Sequence, residues 1–241
     1  MQNQWQGFPT VGELRGGLDT LTERIIFRLS DRRKFTLNYR VRESNGLPIE
    51  GRRDISFLEY ALEGLETYHA TLGRFDYPDQ FPLTSAKLPA SVTPREVLLP
   101  PLPIVGIDLR DRLLPFYLDS VLPQLTTGED PETFGETAYL DAELLEIINM
   151  RINRGRYIAI DKARDNPQLW QVVEDHQRLS QLLQNREREE QVLERALGTA
   201  AVYSFDRAIA ELVFRWIIKQ TLALEVEYLQ GVAHLYPDLT Y

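Results

Sequence analysis

The segment 136–163 repeats apolar residues at intervals of three or four, which is the period of an amphipathic helix. Arg151 and Lys162 occupy two positions of this apolar stripe. Burial of a cation costs on the order of several kcal/mol unless an anion pairs with it. The two residues are 11 positions apart, which is about 16 Å along a helix axis. The pattern therefore predicts a helical site in which two long cations hold a small dianion between them.

Helical periodicity covers most of the rest of the chain, and no apolar–polar alternation bounded by hairpin signals indicates a strand. We therefore predict an all-α fold, a multi-helix bundle. Asp54 or Ser56 is the expected cap of the second helix, and Pro167 suits the first turn of a later one. The predicted helices span 14–29, 57–72, about 109–122, 136–163, 167 to near 185, and about 205–234.

The stretch from about 78 to 103 differs from these helices because prolines recur throughout it. Proline removes a backbone donor and breaks a helix, so regular helix is excluded here. Apolar residues are interspersed among the prolines, which predicts that the segment wraps over the helices. No internal repeat divides the chain, and we predict a single domain over 1–241.

The composition of the chain argues against several classes of function. The chain has 43% hydrophobic and 26% charged residues, as globular proteins do. Without cysteine it can form neither a disulfide nor a zinc–thiolate site. Its net charge of −9 argues against a nucleic-acid partner. No apolar run is long enough for a membrane span, and the N-terminus has no leader pattern, so we expect no membrane association and a cytoplasmic location.

Other helices carry polar residues on their predicted apolar stripes. In one of them, Asn185 and Glu189 interrupt a line formed by Leu182, Leu193 and Ala196. Singly, each is more often an interhelical salt bridge or a satisfied core group than a ligand contact. Together they leave an excess of positive charge, which calls for an external anion. Of the charges in 185–195, only Glu189 is predicted to point inward, and the rest form a solvated face. The seven candidate residues are Arg15, Arg151, Lys162, Asn185, Glu189, Thr221 and Glu225.

Five segments, in order, resemble the all-helical chorismate mutases of the fungal and plant type. The resemblance runs through nearly the whole chain, and it implies that family's fold, its conversion of chorismate into prephenate, a homodimer and no cofactor. The segments are LRGGLDTLTERIIFRLSDRRKF (14–35), FLEYALEGLETYHATLGRFDYPDQFP (57–82), TFGETAYLDAELLEIINMRINRGRYIAIDKA (133–163), NREREEQVLER (185–195) and EVEYL (225–229).

The resemblance also implies roles for the polar residues. Arg15 and Arg151 match the family's arginines that hold the two substrate carboxylates. Lys162 matches its lysine, near a carboxylate and the ether oxygen. Asn185 and Glu189 match its Asn/Glu pair, in which the glutamate holds the substrate hydroxyl.

Thr221 and Glu225 match the family's last-helix pair, with the glutamate facing the ether oxygen. The implied catalytic residues are Lys162, Glu225 and Arg151. A [3,3] rearrangement needs no nucleophile, metal or redox cofactor. Glu225 can donate to the ether oxygen only when protonated; apolar surroundings should raise its pKa, and Lys162 should lower it.

Fungal and plant members are regulated by aromatic amino acids bound between protomers. The resemblance places the candidate effector site at Arg74, Gly135 and Glu136. Gly73 stands where fungal members have a further arginine, and Glu136 where they have a small hydroxyl residue. A carboxylate at that position would repel the effector's own carboxylate. We therefore expect weak or absent inhibition by tyrosine.

Two other interpretations of the sequence stay open. One is a catalytically silent relative, a helical dimer that binds a small dicarboxylate as a sensor. The other is a structural bundle whose interior charges form only salt bridges; a dicarboxylate would then not raise its melting temperature.

Overall fold

The computed structural model describes Trp5 and residues 7–239. Within these residues the regular structure is helical and there is no strand; a single isolated bridge pairs Ile49 with Arg52. The all-α fold predicted from the helical periodicity is confirmed. No helix in this part of the chain combines the length and apolar character needed to cross a bilayer.

The first part of the chain contains α1 to α7. Their bounds are α1 Val11–Arg32, α2 Tyr39–Arg42, α3 Phe57–Thr71, α4 Arg110–Pro115, α5 Leu122–Leu125, α6 Phe134–Asn153 and α7 Gly155–Asp165. A π-helical turn, Phe116–Val121, joins α4 to α5. The C-terminal part contains α8 Gln168–Gln171, α9 His176–Leu183, α10 Arg186–Val202 and α11 Arg207–Leu235. Short 3₁₀ turns lie at Arg74–Asp76, Pro131–Thr133 and Pro237–Leu239.

The long helices start at caps that can be read from the sequence. The Ser56 side chain accepts a hydrogen bond from the Glu59 backbone at 3.2 Å, and Glu59 accepts one from the Ser56 backbone at 2.9 Å. This capping box satisfies two backbone donors that the first turn leaves free. Of the two candidate caps of α3, Ser56 is therefore the cap. Thr10 and Glu13 form an equivalent box at the start of α1.

The predicted helix 136–163 is two helices, so the expectation of one unbroken helix was wrong. The interruption falls at Arg154, just before Gly155. A Cβ atom at Gly155 would lie 3.1 Å from the side chains of Thr221 and Leu224 on α11. Glycine permits this close approach of α7 to α11, and it also weakens the helix at that point.

The predicted line of apolar positions through Leu182, Asn185 and Glu189 does not lie on one helix either. Helix α9 ends at Leu183, and Asn185 is the N-cap of α10. The Asn185 Oδ1 atom accepts a hydrogen bond from the Arg188 backbone at 2.9 Å. Asparagine favours this capping conformation over a helix interior, so the chain starts a new helix here.

Two buried apolar clusters hold the helices together. The first lies among α1, α3, α6, α10 and the first half of α11. The second joins the start of α1 to α7, α9 and the second half of α11. Leu224 belongs to the first cluster and Val226 to the second, so Glu225 lies at their junction.

The proline-rich segment wraps over the helices as predicted. Its backbone accepts hydrogen bonds from two buried tyrosines: Tyr157 donates to the Pro100 carbonyl at 2.5 Å, and Tyr228 to the Pro103 carbonyl at 3.1 Å. Leu102 is buried in the second cluster. These bonds attach the segment to α7 and α11, on which Lys162 and Glu225 lie.

Candidate active site

A cavity of about 600 Å³ opens where α1, α7, α10 and α11 meet the end of α6. All seven candidate residues line it, although they come from five helices and one helix cap. The helical packing thus brings together side chains that are up to 210 positions apart, from Arg15 to Glu225. The seven are Arg15, Arg151, Lys162, Asn185, Glu189, Thr221 and Glu225.

Arg151 is the most buried cation of the cavity, with 5% of its surface exposed. Its Nε atom is buried and has no hydrogen-bond partner among the described residues. Burial lowers the pKa of Arg151 to about 10, while Asp19 acts in the opposite direction. The guanidinium therefore stays charged at neutral pH, and an anion entering the cavity would supply the partner that it lacks.

Arg15 lies on the second turn of α1 and is exposed, so its predicted place on a buried stripe was wrong. In the same turns of α1, Leu14 and Leu18 are buried in the second cluster, whereas Arg15 lines the cavity. Arg15 has no hydrogen-bond or ion-pair partner in the described part of the chain. It is therefore a second free guanidinium at this site.

Lys162 and Glu225 form an ion pair, with 2.7 Å between Nζ and Oε2. Lys162 also donates to the Leu183 carbonyl at 2.8 Å. Glu225 is 3% exposed. Burial and, to a smaller extent, the charge of Glu189 raise the pKa of Glu225, whereas Lys162 lowers it. Burial is the largest effect, so the pKa of Glu225 is raised. The carboxyl group is thus biased towards its protonated form, in the direction that the sequence predicted.

The remaining polar wall comes from α10 and α11. Asn185 is exposed at the cavity mouth, whereas the sequence predicted it on a buried face. Its Oδ1 caps α10, which leaves the Nδ2 donors free for a ligand. Glu189 is half-buried and accepts from Gln184 Nε2 at 3.3 Å. The Thr221 hydroxyl donates to the Ile217 carbonyl at 2.8 Å, and its lone pairs remain available.

In comparisons with known proteins, this chain is similar to chorismate mutases. Residues 134–226 match the family model described as chorismate mutase type II. A chorismate mutase from Saccharomyces cerevisiae is 28% identical over 90% of this chain and 92% of its own length. Chloroplastic chorismate mutase 1 from Petunia hybrida is 26% identical over 91% of this chain and 75% of its own. The chorismate mutase of Candida albicans, crystallised with L-Trp, superposes with a TM-score of 0.83 at 27% identity, over 96% of this chain and 95% of that one.

The chain is similar to eukaryotic-type chorismate mutases over 90% of its length. The matched residues 134–226 begin at α6 and include six of the seven candidate residues. The seventh, Arg15, precedes this matched range.

One cation of the cavity, Arg188, was missed in the sequence analysis. It is half-buried, and burial together with Arg15 lowers its pKa. It was assigned to a solvated face because the residues on either side of Asn185 were placed on one helix. Once Asn185 is identified as an N-cap, Arg188 falls in the first turn of α10, beside the cavity. Its distance of three residues from a capping asparagine was the signal that the sequence offered.

The candidate effector residues do not come together within one chain. Arg74 lies 3.5 Å from the buried Glu146 carboxylate and 3.0 Å from the Met150 sulfur. Gly135 and Glu136 are exposed at the start of α6. Met150 and Glu136 are about 20 Å apart along that helix. An effector that contacts Arg74 and Glu136 together would need a second copy of the chain.

Proposed function

We propose that the protein is a chorismate mutase, an isomerase that converts chorismate into prephenate in aromatic amino acid biosynthesis. One observation carries the proposal: the unpartnered, buried Arg151 guanidinium shares a cavity with the Lys162–Glu225 pair. The first is a site for a carboxylate, and the second is a pair of donors for an oxygen that gains negative charge.

In the rearrangement, the ether C–O bond of chorismate breaks while a C–C bond forms within the same molecule, and no proton is gained or lost overall. The protein must hold a flexible dianion in the compact conformer that brings the two carbons together. Arg15 and Arg151 suit this task because each planar guanidinium can bind a carboxylate through two parallel hydrogen bonds.

Negative charge grows on the ether oxygen as the C–O bond breaks. Lys162 has three donors, of which Leu183 and Glu225 accept two. The third can therefore point at the substrate. A protonated Glu225 supplies a second donor to the same oxygen. Preferential binding of the transition state by about 8 kcal/mol corresponds to a rate gain of about a millionfold, and several charge-assisted hydrogen bonds in a dry cavity can supply it.

The polar wall completes the fit to the substrate. Glu189 can accept a hydrogen bond from the ring hydroxyl, and the free Nδ2 of Asn185 can donate to the same hydroxyl. The lone pairs of Thr221 face the cavity from α11, one turn before Glu225. These residues bind the substrate without taking part in bond making or breaking.

The direct experiment follows the loss of chorismate absorbance with purified protein. Wild type and the control Arg53→Ala, at an exposed loop position, should consume chorismate, while Arg151→Ala should lose activity by about a thousandfold or more. If wild type leaves chorismate unchanged but is stabilised by it against heating, the sensor interpretation replaces this proposal. If chorismate has neither effect, the charges are structural.

We also propose a homodimer. Helix α3 and the residue after it carry three large exposed side chains at spacings of eight and four residues. These are Tyr60, Tyr68 and Leu72, which are 49%, 61% and 52% exposed. Tyr139 of the adjacent α6 is 48% exposed. Several large apolar side chains exposed on two packed helices are typical of a protein–protein interface. Sedimentation of the wild type should give twice the chain mass, and a monomer at micromolar concentration would contradict this.

Regulation by tyrosine is proposed to be weak or absent. Arg74 is already engaged by the buried Glu146, and Glu136 would bring a like charge to an effector carboxylate. Tyrosine and tryptophan, titrated separately into a steady-state assay, should each change the rate by less than about twofold. Strong and opposite effects of the two would overturn this proposal.

A cytoplasmic location is proposed as well. The yeast relatives carry no organelle in their names, whereas one of the Petunia relatives is named chloroplastic. Fluorescence of the tagged full-length protein in its source cells is the test, and signal confined to an organelle would contradict it.

A further inference from the structure

Arg188 lines the cavity, and none of the roles proposed above uses it. We infer that Arg188 is a further substrate-binding residue, which holds one substrate carboxylate together with Arg15. The inference rests on the proposed function, since it assigns the residue to the same dicarboxylate substrate.

Local geometry holds Arg188 in place. Its backbone N–H donates to the Asn185 cap at 2.9 Å, which fixes the start of α10. Its Nη1 donates to Gln191 Oε1 at 3.0 Å, and Gln191 also lines the cavity. Its Nε and Nη2 have no hydrogen-bond partner among the described residues. A side chain that is fixed by a hydrogen bond from one nitrogen, while its other N–H donors are free, is pre-organised to bind a ligand.

The charges around Arg188 favour an anion. Arg15 opposes it as a like charge, and Asp19 is the acidic group that acts on both Arg188 and Arg151. Asp19 is itself 3.1 Å from Arg195. The single carboxylate of Asp19 thus interacts with several guanidinium groups at this end of the cavity. A carboxylate between Arg15 and Arg188 would relieve their repulsion and meet two planar forks.

The position of Arg188 also predicts how it contributes. It lies in the first turn of α10, on the rim, whereas Lys162 and Glu225 form the inner wall. A rim contact to a carboxylate that keeps its charge throughout the reaction binds substrate and transition state equally. Loss of such a contact raises KM and leaves kcat nearly unchanged.

The test compares Arg188→Ala with Arg186→Ala. Arg186 occupies the same first turn and is exposed, and it has no polar contact within the described residues. The two variants therefore remove the same charge from the same helix end. Arg188→Ala should raise the KM for chorismate about tenfold and change kcat less than about twofold, while Arg186→Ala should match wild type. Arg188→Lys, which keeps the charge, should recover part of the loss, and melting temperatures of all variants show that each is folded.

The outcomes separate the two proposals. If wild type turns over chorismate and both variants match it, Arg188 has no binding role and the proposed function stands. If Arg188→Ala lowers kcat at unchanged KM, the assignment as a rim contact is wrong. If wild type is inactive, calorimetric titration with chorismate decides: weaker binding to Arg188→Ala than to Arg186→Ala supports the inference, and equal or absent binding overturns it.

Discussion

At the scale of single residues, the chemistry depends on the protonation of Glu225. Burial raises its pKa, and the charge of Lys162 only partly offsets this. A raised pKa keeps the donor form present below that pKa and removes it as the pH rises through it. We therefore expect kcat/KM to fall as the pH rises through this raised pKa, and Glu225→Gln, a donor at every pH, to give a flatter profile.

The pH profiles of wild type, Glu225→Gln and Glu227→Gln make the comparison. Glu227 is on the same helix and pairs with Arg112 at 2.8 Å, outside the cavity. Its variant should keep the profile of wild type. A profile for Glu225→Gln that coincides with wild type would refute the assignment of Glu225 as the titrating donor.

A buried cation without a partner should reduce the stability of the ligand-free protein. Burial lowers the pKa of Arg151 from 12.5 to about 10, and this shift corresponds to a cost on the order of 3 kcal/mol for the charged form. Arg151→Met removes the charge and keeps most of the volume. We expect it to raise the free energy of unfolding by about 1 kcal/mol, since part of the gain is lost to imperfect packing.

Thermal unfolding without ligand measures this effect, and the same variant should be inactive. The matched control is Arg32→Met, because Arg32 is fully buried but paired with Asp141 at 2.6 Å. Breaking that pair should destabilise the protein by about 3 kcal/mol or more. Equal destabilisation by both variants would show that Arg151 is compensated in the ligand-free state.

At the scale of helices, the sequence predicted most elements because each long helix has an apolar stripe and a local cap. Ser56 and Glu59 are three residues apart, and such a signal needs no knowledge of the rest of the fold. The break at Gly155 could not be predicted in this way. It reflects the approach of α11, whose contacting residues are about 70 positions further along the chain.

Two glycine variants separate close packing from helix propensity. Gly198 lies in α10 with no atom within 4 Å of an added Cβ, so Gly198→Ala should stabilise by about 0.5–1 kcal/mol. The Cβ of Gly155→Ala would press on Thr221 and Leu224 at 3.1 Å. Because α7 and α11 carry Lys162 and Glu225, this variant should melt lower than Gly198→Ala and also lose activity. Equal stabilisation by both would contradict a packing role for Gly155.

At the scale of the whole molecule, the cavity exists because separate helices place their polar positions around one space. The sequence could mark Arg151, Lys162 and Glu225, since each interrupts an apolar stripe. It could not give the exposure of Arg15, which depends on which helices pack around the start of α1. Nor could it give the place of Arg188, which depends on how α10 starts against α1. The expected roles of these residues came from the resemblance to a family, whereas the distances between them depend on tertiary packing.

The same packing makes the stability of the whole chain depend on pH through Glu66. This buried α3 residue accepts backbone hydrogen bonds from Leu83 and Thr84, at 2.6 and 2.7 Å, and so ties the proline-rich segment to the bundle. Burial raises the pKa of Glu66 to about 7, against the effect of both hydrogen bonds. A carboxyl group whose pKa is raised in the folded state contributes stability below its unfolded pKa, and this contribution is lost as the pH rises through about 7.

The melting temperature of the ligand-free protein should therefore be higher at pH 5.5 than at pH 8. Glu66 contributes about 2 kcal/mol to the difference in the free energy of unfolding between these two pH values. Asp79 and Asp141 are also buried with raised pKa values and act in the same direction. Glu66→Gln cannot ionise, so it should reduce this difference even though it weakens one backbone contact. Glu96→Gln, at an exposed position of the proline-rich segment, should leave it unchanged. Parallel pH dependence in Glu66→Gln and wild type would mean that the Glu66 carboxylate stays ionised across this range, held by its two backbone donors.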